Sequence, residues 1–133
     1  MDTYKKALSH IETMRKTYPL FGSKNKTAKA VGVSQSVFIR FTNGRTKLTH
    51  YIYCKIAEYY KSNMPCVECP DIPNTDQLRT ALIGIGTKQL AKLGKEIGLC
   101  NGYYLNHVKS GEVCLHLESA CRLTDALKKE GLL

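Results

Sequence analysis

The sequence predicts an all-α protein, two tandem units of four to five helices each, joined by a proline-rich linker. Three observations point there. Apolar residues recur at helical spacing along most of the chain, and no strand-like alternation stands between turn signals. Three of the four prolines, Pro65, Pro70 and Pro73, fall within residues 63–73, each removing a backbone donor and pushing its predecessor out of helical space. The flanks of that stretch, 1–62 and 74–133, look alike. At a shift of 67, Leu48 falls on Leu115, Cys54 on Cys121, Lys55 on Arg122, Ile56 on Leu123 and Glu58 on Asp125. At a shift of 66, Gly32 falls on Gly98, Val33 on Leu99, Phe38 on Tyr104 and Ile39 on Leu105. One inserted residue near Ser110 accounts for the change. Two blocks at nearly one offset read as a diverged duplication, a tandem pair rather than a solenoid.

The 133 residues suit one ordinary domain or two very small ones, and are too few for a large α/β enzyme. A unit of about 60 residues buries only about 60% of its unfolded surface, so each half alone is marginal. With 43% apolar and 23% charged residues the composition is globular, not disordered. No apolar run approaches the roughly 20 residues of a membrane span. The polar stretch from Met1 to His10 lacks the apolar core of a signal peptide. The expected compartment is the cytoplasm, where the six Cys are reduced thiols, several of them buried. A net charge of +9 favours polyanionic partners, nucleic acid first.

The elements follow in order. Tyr4, Ala7, Leu8, Ile11, Met14 and Tyr18 form one helical stripe, ended by Pro19 and Gly22. Ser23 is a fitting N-cap for a short helix to Val31, and Gly32 supplies a tight turn with a positive φ. Ser34 caps the next helix, to Thr42, which Asn43-Gly44 stops. Thr46 or Thr49 caps a last helix through Lys61. The second half places helices near Thr75–Ile83, Lys88–Ile97, Asn101–Val108 and Leu115–Lys129.

The informative segment is Ser23 to Lys47. Two short helices about the Gly32 turn make a helix-turn-helix, whose second helix enters the DNA major groove with its N-terminal residues at base edges. Ser34, Gln35 and Ser36 are short polar groups at that helix start, where backbone amides also favour phosphate. Phe38 and Phe41 can pack inward while Gln35, Ser36, Val37 and Arg40 face outward. Asn43, Arg45 and Lys47 follow as donors to the phosphate backbone.

The segment resembles the Cro and lambdoid phage repressor family of helix-turn-helix proteins. The likeness lies in Ala28, the Gly-Val-Ser-Gln-Ser run from Gly32 to Ser36, the Asn43-Gly44-Arg45 stop and Lys55-Ile56-Ala57. It covers about 40 residues closely. The resemblance implies base contacts at Gln35, Ser36, Val37 and Arg40, and phosphate contacts at Lys24, Asn43, Arg45 and Lys47; Ser23 and Ser34, at the helix starts, are further candidates for phosphate. Gln pairs bidentately with adenine and Arg with guanine, each good pair giving roughly 1–3 kcal/mol of discrimination. It also implies a transcriptional repressor or autoregulator of a phage, plasmid or other mobile element.

The halves are not equivalent. Residues 1–62 hold 12 Lys or Arg against 3 acids, and residues 74–133 hold 8 against 6. In the second half the helix opens on Cys100-Asn101-Gly102, and a mid-helix Gly costs about 1 kcal/mol. Asn106 stands for Arg40, and Gly94 competes with Gly98 for the turn. Two readings stay open. The half reads a second half-site through Asn101, Tyr103 and Asn106, with Lys109 on phosphate, or it serves dimerisation or a protein partner. A homodimer stays open with it.

Other constellations carry less. Cys66-Val-Glu-Cys69 has zinc-knuckle or redox-pair spacing but no second ligand pair, Cys114-Leu-His116 being the nearest. Cys54 and Cys121 read as core residues. His10, His50, His107 and His116 have no catalytic partner at a recognisable spacing, and no phosphate-binding loop or dinucleotide fingerprint is present. The expectation is a DNA-binding regulator that needs no cofactor or metal and is not an enzyme. The rivals are a protein-interaction module inhibiting a host protein and an RNA-binding regulator.

Overall fold

A computed structural model of the chain describes residues 3–17, 24–44, 48–63, 69–99, 103–111 and 114–132, with only the backbone of 17, 24 and 25. The chain is all-α. Among the described residues there are eight helices and no strand. They are α1 (Thr3–Thr17), α2 (Lys24–Val31), α3 (Gln35–Thr42), α4 (His50–Asn63), α5 (Thr75–Ile83), α6 (Thr87–Glu96), α7 (Tyr104–Ser110) and α8 (Leu117–Lys129). None is long and apolar enough to cross a membrane.

Local chemistry sets the boundaries. Ser34 caps α3, its hydroxyl accepting from the Val37 amide at 3.3 Å. Thr49 Oγ1 accepts from the Ile52 amide at the start of α4. Asn74 and Gln77 close a reciprocal capping box on α5. Two helices start later than expected: α7, expected from Asn101, runs from Tyr104, and α8, expected from Leu115, runs from Leu117. The cost of a mid-helix Gly favours the later start of α7, and the Thr49–His116 bridge holds Leu115 and His116 out of α8. Asn101 and Gly102 lie outside the described residues, as do Ser23 and Thr46.

The two runs of four helices repeat one order. Gly32 and Gly98 carry φ of +88° and +87° and end α2 and α6 in the same way. The Val33 amide bonds the Ala28 carbonyl, and the Leu99 amide bonds the Gly94 carbonyl. Such a 6→1 closure needs a left-handed residue just beyond the helix, which Gly adopts without strain. Gly98, not Gly94, is therefore the second turn glycine, and Gly94 is buried within α6 where Ala28 is buried in α2. Gly44 and Gly111, both at positive φ, stop α3 and α7.

Two clusters form the interior. Ala7, Ile11, Met14, Phe38, Phe41, Tyr53, Ile56 and Tyr60 make the first, which is completed by Leu117 and Cys121 of α8. Leu78, Leu82, Leu90, Leu93, Leu105, Leu123 and Leu127 make the second. Cys121 is wholly buried and Cys54 half-buried. The expected linker begins within a helix, since α4 reaches Asn63. Its far end is docked: Ile72 packs on the first core, and the Pro73 carbonyl meets His50 Nε2 at 2.7 Å.

Candidate nucleic-acid interface

α3 is divided sharply between inside and outside. Phe38 and Phe41 have no exposed surface and touch at a ring distance of 5.8 Å. Gln35, Ser36 and Arg40 are exposed, and Val37 is half-buried. The spacing explains this: residues three apart share a face of a helix, and the first turn projects past its neighbours. The Ser34 and Ser36 hydroxyls lie 3.4 Å apart at the amino end, where the helix dipole favours a negative group. Asn43 is exposed at the other end. Residues 13–57 contain nine Lys or Arg and no acid at all. The stretch that holds α2, α3 and the first turns of α4 thus carries charge of only one sign.

Several expected phosphate donors lie outside the description. These are Ser23, Arg45 and Lys47, while Lys24 opens α2 with its side chain undescribed. Asn101 and Cys66 are outside as well.

The second half offers a different face. Tyr103 is 60% exposed at the start of α7. Asn106, which stands where Arg40 does, is half-buried, and its Nδ2 is buried with no hydrogen-bond partner among the described residues. Lys109 Nζ donates to the Ile85 carbonyl at 3.0 Å, which ties α7 to the α5–α6 turn. Lys92 and Lys95 are exposed on α6, at the positions of Lys26 and Lys29 on α2.

An arginine holds the carboxyl end of each exposed helix, which sequence reasoning missed. Arg15 Nε donates to the Phe41 carbonyl at 2.7 Å, and its guanidinium lies over the Phe41 ring. Arg79 donates to the Lys109 and Ser110 carbonyls at 3.0 and 3.1 Å. A cation satisfying the last carbonyls suits a helix carboxyl end. Gly44 and Gly111 leave room for these side chains: a Cβ at Gly111 would stand 2.9 Å from the Arg79 guanidinium carbon. Arg15 and Arg79 are 64 residues apart, not 66, so the shift that aligns the turns hides them.

No family model matches this chain, and no curated protein or solved structure is significantly similar to it.

Among the described residues no group of three or more His, Cys, Asp or Glu is placed to hold a metal. The neighbour of Cys69 is His10, with Sγ 3.6 Å from Nε2, and not the Cys114–His116 pair. His10 Nδ1 meets the Tyr53 hydroxyl at 2.7 Å. Burial lowers the His10 pKa and raises that of Tyr53, so both stay neutral at neutral pH.

Proposed function

We propose that this chain binds double-stranded DNA sequence-specifically and regulates transcription as a repressor or autoregulator. In this reading α2 and α3 are the helix-turn-helix, and α3 lies in the major groove. One observation carries it: Gln35, Ser36 and Arg40 stand exposed at the capped amino end of a helix anchored by Phe38 and Phe41, within 45 residues free of acids. Gln35 and Arg40 have the donors and acceptors to read adenine and guanine edges. Ser34, Asn43 and the surrounding Lys and Arg meet phosphate, and release of counterions drives association. The repeated helix order, turn glycines and arginines support a second helix-turn-helix in α6 and α7. Repression follows from occlusion of the promoter, with no chemistry at the site.

Selection of bound duplexes from a random pool at about 150 mM salt tests this. An enriched sequence that Arg40→Ala no longer selects supports it. Preference for RNA in direct competition would assign the site to RNA. No enrichment would turn the reading to a protein-interaction module.

A further inference from the structure

We infer that one chain, without a second copy, occupies a DNA site of two unequal half-sites held at fixed spacing. The inference rests on the DNA reading above and says what kind of site that surface takes. It comes from the seam between the halves. Thr49 and His116 form an antiparallel bridge flanked by two hydrogen bonds. Leu117 N donates to Leu48 O at 2.9 Å, and His50 N donates to Leu115 O at 2.8 Å. At the shift of 67, Leu48 corresponds to Leu115, Thr49 to His116 and His50 to Leu117. Exchanging the halves therefore turns each bond into the other. That reciprocity is the mark of a two-fold, isologous contact.

The helices obey the same exchange. α1 packs on α8 as α5 packs on α4, and α4 packs on α8 across the middle. Two clefts flank the bridge. One is lined by Glu12, Arg15, Leu48 and Leu117, the other by Asp76, Arg79, Leu115 and His50, position for position. The patch through which two copies of one half would pair is thus occupied within the chain. A two-fold relation sets α3 and α7 at equal distances from the bridge, as a dimeric reader sets its two helices on half-sites about 34–36 Å apart.

The half-sites are unequal because the halves are. α3 exposes Gln35, Ser36 and Arg40, whereas Asn106 is half-buried and Lys109 is engaged with Ile85. The first half also holds most of the positive charge. The first half-site is read by Gln35, Ser36 and Arg40; the second, with Tyr103 exposed and Asn106 half-buried, is read by fewer groups and held more weakly.

The test uses the full chain and the selected duplex. Light scattering of the complex should give one chain per duplex. Inserting about 3 base pairs at the site's centre should weaken binding about tenfold or more, and about 10 base pairs should not restore it, because the seam fixes the spacing. Two chains per duplex would overturn the inference, as would affinity indifferent to the insertions; either leaves the DNA reading standing. No duplex bound at any salt would overturn both.

Discussion

At Gly32 nothing lies within 4 Å of where a Cβ would stand, so Gly32→Ala isolates the cost of a φ of +88°. An L residue there crowds its own carbonyl, and the expected loss is about 1–2 kcal/mol in urea unfolding. A loss near zero would mean the turn reshapes without strain. Arg40 carries the binding prediction. If its guanidinium reads a base, Arg40→Ala costs roughly 1–3 kcal/mol on the selected site and little on random duplex. Equal losses would make it a phosphate contact. His10 and His50 carry the pH prediction. Burial lowers both pKa values, and the bond of His50 to the Pro73 carbonyl only partly opposes that. Below about pH 6.5 the unfolded chain takes up protons that the folded chain refuses. Stability present at neutral pH is therefore lost as pH falls, and urea midpoints should drop between about pH 7.5 and 5.5. A flat profile would show both rings protonated in place.

At the scale of elements, the arginines hold the exposed helices in place. Arg15 is largely buried and bonds the last turn of α3, so Arg15→Met should cost about 1–2 kcal/mol of stability. Arg15→Lys should not recover it, since a point charge cannot both lie flat on Phe41 and bond its carbonyl. Full recovery by Lys would reduce the role to charge alone. These arginines also mark where the sequence stops being legible. Helix ends follow from Ser34, Thr49 and the turn glycines because caps act within four residues. The inward Phe38 and Phe41 follow from helical spacing. Arg79 does not, because it stands 19 positions before Gly98 where Arg15 stands 17 before Gly32, and the register breaks. His10 and Cys69 meet across 59 positions, and no local signal reports that. Nor does a pattern announce the Thr49–His116 bridge, since a single pair has no alternation to read.

At the scale of the whole molecule, the question is whether the halves fold as two bodies or one. Each is near 60 residues, a size at which a single core is marginal. The first core does not close on itself: Leu117 and Cys121 reach into it from α8, whose Leu123 and Leu127 belong to the second. At the far end of α8, Asp125 accepts from the Thr3 amide at the start of α1. One helix is thus shared by both cores, and unfolding either strips α8 of half its partners. The chain should then unfold in one transition, with fluorescence and circular dichroism coincident. Leu117→Ala, which empties a site 3% exposed, should cost about 2–4 kcal/mol. Amide exchange decides between the alternatives, because it reads each half separately. If the bodies are coupled, the slowest amides of α3 and of α6 lose protection together in that variant. If α3 alone loses it, the halves are independent, and a site of fixed spacing no longer follows from the seam.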